Sequence, residues 1–109
     1  MYQETVVLCA ANAYEKKFYF NEEFSGLPQS IKDELKVMCV LFTEDIGGVL
    51  EVVFDDEGTL SLRVDSDEGD LLYDEIGCGL KIKQLQQEKR DLFEGLTMFY
   101  RIFYLGEDA

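Results

Sequence analysis

The amino-acid sequence predicts an α+β protein in two layers: an antiparallel sheet of two hairpins packed against two helices, in the order β-β-α-β-β-α. Residues 49–54 and 60–64 alternate side chains on either side of an acid-glycine turn. Two long segments, Leu27–Ile46 and about Leu80 to Tyr104, repeat apolar residues at helical spacing. The 109 residues contain one proline, Pro28, and no low-complexity linker, which fits a single domain over residues 1–109.

Thr5–Ala10, TVVLCA, is a short apolar run suited to a buried strand, and Lys17–Asn21, KFYFN, is aromatic and strand-like. Asn12–Lys16 would join them as a hairpin. The alanines at 10, 11 and 13 also permit one helix over residues 3–16, so both readings stand at this point, with the hairpin preferred. Leu27–Ile46 reads as a helix. Pro28 suits its first turn, and Ser30 followed by Asp33 resembles a capping box with Asp in place of Glu. Ile31, Leu35, Met38, Phe42 and Ile46 share one face. From Val37 to Phe42 the residues are apolar on every side, so that half is expected to be buried all round. Gly47 supplies the C-cap.

Gly48–Asp65 is the clearest hairpin. Take Asp56-Glu57-Gly58 as a three-residue loop with Gly58 left-handed. Phe54 then falls opposite Leu60, Val52 opposite Leu62 and Leu50 opposite Val64, while Glu51 meets Arg63 on the other face. A slip of one residue would break both matches. The last segment reads as one helix from about Leu80, or as early as Asp74, to about Tyr104. Leu85, Leu92, Leu96, Phe99 and Phe103 form its stripe. Its end, Met98–Tyr104, is apolar nearly all round except at Arg101, which is more than one sheet can cover. The surplus aromatic surface must lie beneath the N-terminal segment or against a second copy. A homodimer through Phe99, Tyr100, Phe103 and Tyr104 is expected.

Ten Lys and Arg stand against 23 Asp and Glu, for a net charge of −13. This argues against nucleic acid, which requires a basic footprint, and against anionic membrane surfaces. No apolar run approaches the roughly 18 residues of a membrane span. Glu4 stands where a signal peptide carries positive charge. Cys9, Cys39 and Cys78 are odd in number and far apart, as buried free thiols of a reducing compartment would be. These features together point to the cytoplasm.

The chain has no histidine and no Cys-x-x-Cys, which removes the common nucleophilic dyads and zinc sets. No enzyme, cofactor or metal site is predicted. EVVFDDEGTLSLRVDSDEGD, Glu51–Asp70, crowds acids around two glycines. An EF-hand needs an acid at position 5 and Glu at position 12; counting from Asp65 these are Gly69 and Ile76, and counting from Asp55 they are Thr59 and Ser66. Turn chemistry explains the stretch better. The charge distribution is more unusual. From Glu44 to Glu75, twelve acids meet one base, Arg63, so this third carries −11 of the −13. Solubility is the bland reading of such a lobe. The sharper one is a docking face for a basic protein partner, formed by Asp55, Asp56, Glu57, Asp65, Asp67, Glu68 and Asp70. The rings of Tyr14, Phe18, Tyr19, Phe20 and Phe24 fit either a core or a ligand platform.

YEKKFYFNEEFSGLPQSIKDELKVMCVLFTEDIGGVLEVVFDDEG, followed by LLYDEIG and LKIKQLQQEKRDLFEGL, resembles a family of short, acidic, uncharacterised bacterial proteins of about this length. Leu27–Gly48 carries most of the likeness. The resemblance implies a bacterial cytoplasmic protein and transfers no catalytic residue. The expected function is a non-catalytic protein-interaction module, chaperone-like or immunity-like by analogy of class alone. The alternative is a small-molecule-binding domain or carboxylate-based enzyme with an aromatic-lined pocket.

Overall fold

The computed structural model describes residues 5–106. Its elements are β1 (Val6–Asn12), β2 (Lys17–Phe20), a 3₁₀ turn (Glu22–Phe24), α1 (Gln29–Ile46), β3 (Val49–Phe54), β4 (Leu60–Asp65), α2 (Glu75–Glu88) and α3 (Arg90–Phe103). The strands form one antiparallel sheet in the order β2-β1-β3-β4. This is the predicted α+β arrangement with the last helix divided in two. The N-terminal hairpin forms, with β1 running two residues beyond the expected Ala10. The single-helix reading of residues 3–16 fails for 5–16; residues 3 and 4 lie outside the described residues.

The second hairpin pairs as its alternation requires: Phe54 with Leu60, Val52 with Leu62, Leu50 with Val64 and Glu51 with Arg63. Gly58 is left-handed at φ +87°, and its N–H donates to Asp55 O at 3.0 Å. On the face away from the helices, Arg63 Nη2 lies 3.3 Å from Glu51 Oε1. The central strand β3 is buried on both sides at Val52, Val53 and Phe54.

Strand β1 carries a β-bulge where it pairs with β3. The register between β1 and β3 shifts between Val7 and Cys9, which releases Leu8 from the ladder. Asn21 takes up the freed carbonyls: its backbone N–H donates to Leu8 O at 2.9 Å and its Nδ2 to Val7 O at 2.8 Å. Asn21 Oδ1 also accepts from Glu23 N, capping the 3₁₀ turn. One side chain thus joins the bulge to the turn that delivers Phe24 into the core.

Helix α1 buries Leu35, Met38, Cys39, Phe42 and Thr43 against β1, β2 and β3. Two expectations at its N-terminus are corrected. Pro28 is the N-cap, its carbonyl accepting from Ile31 N and Lys32 N. The Ser30–Asp33 box does not form; Asp33 instead accepts from Gln29 Nε2. Gly47 ends the helix at φ +87°, donating to Thr43 O. The all-round burial expected for Val37–Phe42 is also corrected, because Val37 and Leu41 are 56% and 57% exposed. The sheet and α2 cover two sides of α1 and leave the third open.

The single last helix is corrected as well. Asp74 caps α2, accepting from Gly77 N, and the helix breaks at Lys89 (φ −107°, ψ 20°). An unbroken helix over residues 75–103 would be about 43 Å long, against strands of about 20 Å. The bend lets α2 lean on α1 while α3 crosses β4. Phe103, expected on the apolar stripe and at an interface with a second copy, is 70% exposed at the far end.

The hairpin turn rests on α3, where Arg101 Nε donates to Glu57 O at 3.2 Å. A Cβ at Gly58 would sit 2.9 Å from Arg101 Cγ, in a backbone conformation that favours glycine. Gly58→Ala should therefore lower stability in urea unfolding by about 1–3 kcal/mol. Gly69→Ala, in open space without a positive φ, should stay within about 0.5 kcal/mol of the parent.

Candidate functional site

The structure divides the seven acids of the expected docking face. Asp55, Asp56 and Glu57 lie at the β3–β4 turn, while Asp65 ends β4 and Asp67, Glu68 and Asp70 lie in the loop beyond it. Six residues of strand, about 20 Å, separate the two groups. Two of the seven are turn-formers. Asp55 Oδ1 accepts from Glu57 N and Thr59 N, both at 2.9 Å. Asp70 Oδ1 accepts from Leu72 N, and its Oδ2 accepts the Tyr14 hydroxyl at 2.7 Å. The same hydroxyl accepts from Asp67 N at 3.0 Å, so Tyr14 pins the acidic loop to the first hairpin.

The aromatic end of α3 is largely covered by the chain itself. Tyr100 is buried, which corrects its expected place on an outer surface: its ring stacks on Phe54 at 4.3 Å and on Tyr104 at 5.0 Å. Phe24 closes the stack against Tyr104 at 4.8 Å, and Phe99 packs against the core. The Tyr104 hydroxyl donates to Glu23 O. Of the four residues expected at an interface, Phe103 is the most exposed.

The three cysteines are buried and free. Cys9 and Cys39 meet at 3.9 Å between sulfurs. Their hydrogen bond, and then burial, hold the Cys9 thiol far above its usual range, so it stays protonated and is a poor nucleophile. Burial, and then a hydrogen bond to Cys78 Sγ at 3.1 Å, raise the Tyr73 hydroxyl. Among the described residues, no group of three or more Cys, Asp and Glu is placed to hold a metal ion.

A further exposed apolar surface lies between α1 and α2. Lys81 Nζ is 3.8 Å from Asp45, and Lys89 Nζ is 4.0 Å from Glu34, so the two helices run antiparallel. A groove follows their seam as two concavities of about 440 and 390 Å³ that meet at Lys81. Val37 and Leu41 line one half and Leu72 and Leu80 the other. Leu72 and Leu80 are 94% and 65% exposed. The rim holds Asp33, Glu34, Asp45, Asp74 and Glu88 against Lys81 and Lys89, an excess of three negative charges. From Asp33 to Ile46 the groove runs about 20 Å along α1, enough for a partner helix of three to four turns. Sequence reasoning missed it because Val37 and Leu41 read as core. The apolar residues all round α1 were the available signal.

The Tyr14 hydroxyl is raised above its ordinary value, chiefly by its hydrogen bond to Asp70. A raised folded-state value means the bond's stabilisation is complete below the unfolded value of about 10 and fades as pH climbs through the folded one. Tyr14→Phe should therefore melt lower than the parent by a constant margin from pH 7 to about 9, and the margin should shrink at higher pH. Amide exchange at Asp67 should quicken in the variant at neutral pH.

No curated protein and no solved structure matches the chain. A family model covers residues 5–108, nearly its whole length, and the chain belongs to the family of unknown function DUF6145.

Proposed function

We propose that this protein is a non-catalytic interaction module of the bacterial cytoplasm whose α1–α2 groove takes a basic amphipathic helix from a protein partner. The observation that carries the reading is the groove's composition. Exposed Val37, Leu41, Leu72 and Leu80 offer an apolar strip, and an acid-rich rim offers complementary charge. Helix-in-groove recognition uses this pairing of apolar anchors with flanking charge. The rest of the acidic lobe speeds encounter with a cation and repels other copies of the chain.

A homodimer is the second reading. It rests on Phe103 and Met98, 70% and 61% exposed on α3. Sedimentation equilibrium at micromolar concentration separates the two, since the docking module alone is a 12.5 kDa species.

A Leu/Lys helical peptide and a scrambled peptide of the same composition provide the test. The helical form should bind at least about tenfold more tightly by fluorescence anisotropy. Val37→Asp with Leu41→Asp makes the groove less apolar and the protein more acidic. If the apolar strip carries recognition, binding should fall by about tenfold or more. Binding that strengthens in this variant would show simple charge attraction and end the proposal.

A further inference from the structure

A second concavity lies on the other side of α1 and shares no lining residue with the groove. It opens between the first hairpin and the middle of α1, with a volume of about 760 Å³, inside the range of small-molecule sites. Ala11 near the end of β1 and Ala13 in the turn after it bring only small side chains to the lining. Phe18, paired with Ala11 across the hairpin, and Val40 give it an apolar lining.

Its charge runs against that of the whole chain. Lys16 and Lys17 from the hairpin and Lys36 from α1 line this one cleft, opposite the single carboxylate Glu44. The protein has only ten Lys and Arg against 23 acids. None of these three lysines forms an ion pair or side-chain hydrogen bond among the described residues. Lys16 is also the only non-glycine residue with positive φ among them, at +55°, where glycine or asparagine is the usual choice. Asn12 Oδ1 holds this turn by accepting from Tyr14 N and Glu15 N. Lys16 thus occupies a left-handed turn position, where a side chain is uncommon, at the rim of the cleft.

We propose that this cleft binds a small organic phosphate monoester. The three ammonium groups receive the phosphate as point charges. The apolar part of the molecule lies on Phe18, Ala11 and Val40, and Glu44 accepts from a hydroxyl or amine on it. The inference is independent of the docking groove, since each surface can fail alone.

Phenyl phosphate, phenol and inorganic phosphate are the probes, titrated at constant ionic strength into the ¹⁵N-labelled full chain. Phenyl phosphate should shift the amides of Ala13, Lys17 and Phe18 saturably with a Kd of about 1 mM or tighter, and each fragment alone should bind at least about tenfold more weakly. Lys36→Gln should weaken binding about tenfold. Lys16→Gly should weaken it similarly while raising the melting temperature, because it relieves the backbone; a merely structural role for Lys16 would change the melting temperature alone. Absence of saturable shifts would overturn the proposal. So would equal binding by inorganic phosphate, or unchanged affinity in both variants.

Discussion

A stack of four rings holds three distant parts of this chain in one place. Phe54 comes from the central strand, Phe24 from the 3₁₀ turn after the first hairpin, and Tyr100 and Tyr104 from α3. Phe54 and Tyr100 are nearly parallel at 10° and 4.3 Å, and Tyr100 and Tyr104 at 7° and 5.0 Å. Each such contact contributes about 0.5–1.5 kcal/mol beyond the area it buries. More important is what the stack positions. It sets α3 across β4, which brings Arg101 to the carbonyl of Glu57 and seats the acidic turn. It also draws in the segment that Asn21 has turned off the bulge, so Tyr100 is covered from within while Phe103 stays exposed.

The α1–α2 groove follows from this placement. With α3 fixed over β4 and α1 over the other strands, α2 has no strand left to cover and lies against the two helices. Its seam with α1 is filled on the core side by Met38, Phe42, Cys78 and Leu85 and flanked on the outer side by two long ion pairs, and Val37 and Leu41 stay in water. Partly exposed pairs of this kind stabilise by no more than about 1 kcal/mol each, so they align the helices without sealing the seam. On the far side of α1 lies the second cleft, with small residues at 11 and 13 in its lining. The same helix thus separates an acid-rimmed groove from a lysine-rimmed one.

Much of the fold was legible in the sequence. The β3–β4 register followed from alternation and one glycine, because only one pairing matches every apolar residue with another and Glu51 with Arg63. The end of α1 was legible from Gly47. The break at Lys89 was not, since no glycine or proline marks it and its cause is the length of the sheet beneath. The burial of Tyr100 was hidden for a related reason: its covering ring, Phe24, is 76 residues away in the chain. The candidate sites were less legible still. Acids that looked like one face are split by the length of β4. The lysines of the cleft come from two segments whose contact is purely tertiary. The groove was concealed because an apolar helix surface reads the same whether it faces a core or a partner.

The central claim is that the ring stack makes the sheet, the 3₁₀ turn and α3 one cooperative unit. A double-mutant cycle between Phe54→Leu and Tyr100→Leu, measured by urea unfolding, tests it most directly. Leucine keeps the sites apolar and removes the ring faces. The account predicts a coupling of about 0.5–1.5 kcal/mol with a single transition common to tyrosine fluorescence and far-ultraviolet dichroism. Effects that add to within about 0.3 kcal/mol, or two separate transitions in the parent protein, would contradict it.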